Sequence, residues 1–87
     1  MKDILIKNYI NSLSIKDVKN FAIKNNITLN DNELNFIYRN IKDNWKVLIY
    51  GNPENLFNNL KNNVSNDTYL KIIDLYTFYK NKYQYFL

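Results

Sequence analysis

Residues 30–51 read NDNELNFIYRNIKDNWKVLIYG, and their spacing decides the class of fold. Leu34, Ile37, Tyr38, Ile41, Trp45, Leu48 and Ile49 recur every three or four residues, the period of a helix with one buried face. Projected at 100° per residue, they fill an arc of about 120°. Asn30 followed by Glu33 forms a capping box in front of the run, and Gly51 supplies a C′ position without a Cβ penalty. The stripe stays in phase across Asn40, Asp43 and Asn44, so the favoured reading is one continuous helix to Tyr50. A break near Asn44 is the alternative, because Asn and Asp lower helix propensity there. Phe36, Val47 and Tyr50 fall nearly opposite the main stripe. Other elements are expected to cover them, the terminal helices first, and Tyr50 should then be substantially buried.

Working outward, residues 3–12 are apolar over most of a short helix through Ile4, Leu5, Ile6, Tyr9 and Ile10. Such a helix is expected either to be wedged between others or to pair with another chain. Ser14 reads as an N-cap with Asp17 three residues on. The helix it opens, residues 15–25, places Ile15, Val18, Phe21 and Ala22 inward, and Asn25-Asn26 is a left-handed stop. Ile27-Thr28-Leu29 is an extended connector with Ile27 and Leu29 turned in. Asn52-Pro53-Glu54 restarts a helix over 53–63 with Leu56, Phe57 and Leu60 as its apolar positions. Ser65 caps the last helix, whose main face is Tyr69, Ile72, Ile73, Tyr76, Tyr79 and Tyr83, with Leu70, Leu75 and Phe78 outside that arc. One Gly and one Pro leave little material for tight β-turns. The expectation is a single all-α domain over 1–87, a compact bundle of about five helices organised around the central helix near 31–50.

The order of capped helices and apolar anchors in INSLSIKDVKNFAIKNNITLNDNELNFIYRNIKDNW (residues 10–45), IYGNPENLFNNLK (49–61) and LYTFYKNKY (75–83) resembles a small uncharacterised helical family of low-GC Gram-positive bacteria, a domain of unknown function. The resemblance implies a short, soluble, helical cytoplasmic protein. It carries no activity and no site residue.

Several chemistries are short of parts. The chain has no Cys and no His, so thiolate chemistry and the commonest general base and metal ligand are absent. Six of the eight acids, Asp3, Asp17, Asp31, Glu33, Glu54 and Asp67, fall in or beside expected first helical turns, where they complement the helix dipole. A single glycine leaves no Gly-rich phosphate loop. The expectation is a non-enzymatic protein with no cofactor, no metal and no small-molecule substrate. In the N-terminal MKDILIKNYI, Asp3, Lys7 and Asn8 interrupt the apolar run, so neither a secretory leader nor a membrane span is read there, and a cytoplasmic protein is expected.

Two contact surfaces remain. The run YTFYKNKYQYF interleaves rings with Lys80 and Lys82, and Phe78, Tyr83, Tyr85 and Phe86 are the expected interface for a protein partner or a second copy. The alternative is a nucleic-acid contact. The net charge is +4, and residues 1–29 hold five lysines against two aspartates. Lys16, Lys19, Lys24 and Arg39 lie around a helix–extended–helix segment that resembles small nucleic-acid-binding modules. Against this, Asn, Ile and Lys supply 40 of the 87 residues, a bias that AT-rich codons also produce.

Overall fold

Five helices form the all-α bundle that a computed structural model describes over residues 2–83. They are α1 (Lys2–Ser12), α2 (Ile15–Lys24), α3 (Asp31–Tyr50), α4 (Glu54–Asn63) and α5 (Asn66–Tyr83). Their starts follow the local chemistry. Ser14 Oγ accepts the Asp17 N–H at 3.1 Å, while the Asp17 carboxylate accepts the Ser14 N–H at 3.0 Å. Asn30 and Glu33 make the same exchange at 2.8 and 3.0 Å ahead of α3. Each pair satisfies two of the N–H groups that a helix start leaves without partners. Asn52 Oδ1 accepts the Glu54 N–H at 3.1 Å, and Pro53 stands just outside α4, one residue from the expected boundary.

The end of α2 is a complete Schellman motif. Asn26 takes the left-handed conformation at φ 62°. Its N–H reaches the Ile23 carbonyl at 3.1 Å, and the Ile27 N–H reaches that of Ala22 at 2.8 Å. Ile27 and Ala22, the residues that such an ending brings together, are both buried.

Two features of α3 correct the sequence reading. The helix is bent at Asn44, whose φ of −127° and ψ of 19° are not helical, so the break takes the place of the favoured continuous helix. Side-chain amides compete with the main chain just before it: Asn40 Nδ2 donates to the Phe36 carbonyl at 2.8 Å. Gly51 is extended rather than left-handed, at φ −106° and ψ −160°. Its lack of a side chain matters for space instead, since a Cβ there would stand 3.1 Å from Val47 Cα and 3.2 Å from the Val47 carbonyl oxygen.

α3 is the hub. It packs against α1, α2 and α4, and α5 rests on α4. α1 runs antiparallel to the hub, with Asp3 at the Tyr50 hydroxyl and the carbonyls of residues 10–13 at Lys42 and Tyr38. The Asp3 carboxylate accepts a hydrogen bond from the Tyr50 hydroxyl and raises the Tyr50 pKa above its ordinary value. The buried apolar set is Ile10, Val18, Ala22, Ile27, Leu34, Trp45 and Leu60, drawn from α1 to α4 and the connector. Among the described side chains of α5 only Thr68 is buried.

The terminal helices do not clasp the back of α3. Tyr50 is 44% exposed and Val47 is exposed as well, whereas Phe36 is half-buried on the side facing α2, α4 and α5. The buried arc of the hub therefore widens toward Phe36, and the opposite strip with Arg39, Asp43, Lys46 and Tyr50 is open. Nor is α1 wedged between neighbours. Its Ile10 is buried and Ile6 half-buried, while Ile4, Leu5 and Tyr9 are exposed.

Candidate functional site

The aromatic flank of α5 is positioned by three hydrogen bonds and one ring contact to the rest of the bundle. α5 starts at a Ser65 cap: Ser65 Oγ accepts the Thr68 N–H at 3.2 Å. Its third residue is Thr68, not an acid, so the box cannot close within the helix. Glu33 closes it from α3, its second carboxylate oxygen accepting the Ser65 N–H at 3.1 Å. One carboxylate thus serves two helix starts. Farther along, Lys71 pairs with Asp67 at 3.2 Å and donates to the Asn26 carbonyl at 3.2 Å, tying α5 to the end of α2. Tyr76 donates its hydroxyl to the Leu48 carbonyl at 2.6 Å, one of the carbonyls left open at the end of α3. The Phe57 ring of α4 meets the Tyr76 ring edge-on at 4.8 Å.

Held in this way, α5 presents a chain of three rings. Phe78 is 57% exposed and meets Tyr79 edge-on at 5.3 Å; Tyr79 in turn tilts onto Phe21 of α2 at 5.9 Å. Phe21 is 45% exposed although its spacing assigned it to the inner arc of α2. The ammonium of Lys82 lies 5.8 Å from the Phe78 ring and that of Lys80 5.5 Å from the Tyr76 ring. Of the four residues expected at this interface, Phe78 is on the exposed flank and Tyr83 is the last residue of α5. Tyr85 and Phe86 lie outside the described residues.

The basic set behaves differently. Lys16, Lys19 and Lys24 are exposed on the outer side of α2, and Arg39 is exposed on the open strip of α3. Lys42, one turn beyond Arg39, has an internal role. Its Nζ donates to the carbonyls of Ile10, Asn11 and Leu13 at 2.8, 2.9 and 3.1 Å. Tyr38 adds its hydroxyl to the Leu13 carbonyl at 3.2 Å. The end of α1 is thereby capped by a cation from another helix, which its own last turn does not supply.

Beneath the ring chain the core is hollow. A space of about 260 Å³ lies among Val18, Ala22, Ile37, Ile41, Leu60 and Leu75, to name one or two residues from each wall. A sealed void of that size would cost about 6 kcal/mol at roughly 24 cal/mol per Å³. That rivals the whole stability of a small domain, about 5–15 kcal/mol. The space is partly open to solvent, which lowers the cost without removing it. Leu75, outside the expected face of α5, lines it. No large side chain among the described residues is less than 2% exposed, in keeping with a loosely filled interior. A second hollow, about 320 Å³, lies across Ile41, Leu48 and Tyr76, which line both, and is bounded by Ile10, Trp45 and Lys80.

Among the described residues no three His, Cys, Asp or Glu side chains gather into a metal-binding group, and no helix is long and apolar enough to cross a membrane. In comparisons with known proteins, no family model, no curated protein and no solved structure matches this chain.

Proposed function

We propose that this chain is a small non-enzymatic interaction module, cytoplasmic in location, that binds a protein partner or a second copy through the aromatic flank of α5. The observation that supports it is the ring chain Phe78–Tyr79–Phe21, assembled from two helices far apart in sequence and exposed at both ends. Aromatic rings are enriched at the centres of protein interfaces, where each covers a large area at little entropic cost. α1 offers a second apolar surface in Ile4, Leu5 and Tyr9. The resemblance to the helical bacterial family fits such a role and adds no residue to it. The test is sedimentation velocity across a concentration series, with affinity capture alongside. Phe78→Ser and Phe21→Ser should abolish self-association or capture while leaving the helical circular dichroism intact. Unchanged association in both variants would exclude this surface.

A second reading is nucleic-acid binding, favoured by the exposure of Lys16, Lys19 and Lys24 on the same helix as the exposed Phe21. Rings that stack on bases beside lysines that meet phosphates suit a single strand. On this reading the affinity for a generic oligonucleotide falls steeply with salt and weakens in Lys19→Ala, Lys24→Ala and Arg39→Ala. A salt-independent association would favour the protein interface.

A further inference from the structure

We infer that the hollow interior is a binding site for an unbranched aliphatic carboxylate of about ten carbons. Four helices and the connector wall the first space, and its only polar side chains are already committed. The Asn40 amide donates to the Phe36 carbonyl at 2.8 Å, and the Tyr76 hydroxyl donates to the Leu48 carbonyl at 2.6 Å. The space is partly open to solvent, yet its walls offer water almost no free polar partner, so an apolar occupant fits them better. Size sets the length. A dry cavity of about 150 Å³ takes a six-carbon ring, so about 260 Å³ takes roughly ten carbons.

The second hollow suggests the head group. Ile41, Leu48 and Tyr76 line both spaces, and the lining of the second includes one charged residue, Lys80. Lys80 is exposed, its ammonium rests over the Tyr76 ring, and no carboxylate of the described residues lies in salt-bridge range of it. An apolar slot with a cation at its rim complements a chain that ends in a carboxylate. The site fits a free fatty acid better than a neutral alkane or alcohol of the same length.

Decanoate, below the concentration at which it forms micelles, is the probe, and Trp45 is the reporter because it lines the second hollow and is the only Trp. The expected result is a saturable one-to-one change in Trp45 emission together with a rise in Tm. Decanol should bind more weakly, and Lys80→Met should weaken decanoate by about threefold while leaving decanol unchanged, the scale of one exposed ion pair. Leu75→Phe fills the first space and should abolish binding of both probes without lowering Tm. Should that variant not fold, Ala22→Leu tests the same wall from α2. The inference is overturned by the absence of saturation, by a fall in Tm on adding decanoate, or by undiminished binding in the filled variant. Equal affinity for decanol and decanoate would remove the anionic head from it.

Discussion

Lys42 holds three main-chain carbonyls at and just beyond the end of α1 with a single ammonium group, so its removal affects more than one contact. Lys42→Met keeps the aliphatic stem and removes the donors. It should cost about 1–3 kcal/mol in urea unfolding, the scale of hydrogen bonds made by a charged group. A change below a few tenths of a kcal/mol would mean that water replaces the ammonium without loss. Trp45 is 8% exposed on the face of the hub, in phase with Ile41 and Leu48. Trp45→Ala should cost about 3–5 kcal/mol by the same measurement, as large aromatic truncations in cores do. A loss under about 1 kcal/mol would show that the second hollow already leaves the indole poorly packed.

At the scale of elements, helix ends decide more than helix interiors. Glu33 serves α3 with one oxygen and α5 with the other. Glu33→Gln retains one acceptor and should cost about 1 kcal/mol, whereas Glu33→Ala loses both and should cost about 2 kcal/mol. Equal costs in denaturant titrations would mean that only one of the two caps matters. Asp17 gives a pH signature at the start of α2. The Ser14 N–H and hydroxyl bond its carboxylate and hold its pKa below the ordinary value of about 4. Its contribution is complete above the unfolded value and is lost as pH falls through the lowered folded value. Amide signals of α2 should therefore shift toward frayed positions below about pH 4, and Asp17→Asn should remove that transition. The capping boxes themselves were readable from Ser14–Asp17 and Asn30–Glu33, because a cap needs only residues three apart. The second duty of Glu33 was not, because Ser65 lies 32 positions away and nothing local records the meeting.

For the whole molecule, stability is unevenly distributed. The principal extents are 36 by 23 by 22 Å and the radius of gyration is 12.6 Å, close to the roughly 12 Å expected for a globule of this length. Among the described residues the buried apolar set nevertheless comes from α1 to α4 and the connector, with none from α5. Native-state hydrogen exchange should show α5 amides opening at lower free energy than those of α2 and the first half of α3. Uniform protection across the five helices would contradict that order. Occupation of the hollow interior should narrow the difference, since Leu75 and Tyr76 of α5 form part of its wall.

The sequence by itself determined the all-α class, the five helices, their caps and most of the inward faces. These depend on residue spacing and on side chains reaching their own main chain, interactions closed within a few positions. It also carried the weak point at Asn44, although the apolar stripe argued for continuity there. Only the tertiary structure decided how the faces meet. Spacing places Phe21 inward, yet it stands 45% exposed; it places Leu75 outside the main arc, yet Leu75 lines the hollow. Lys42, one turn from the exposed Arg39, caps α1. In each case the side chain's surroundings come from a helix distant in sequence, and periodicity locates a residue on its own helix without saying which neighbour arrives there.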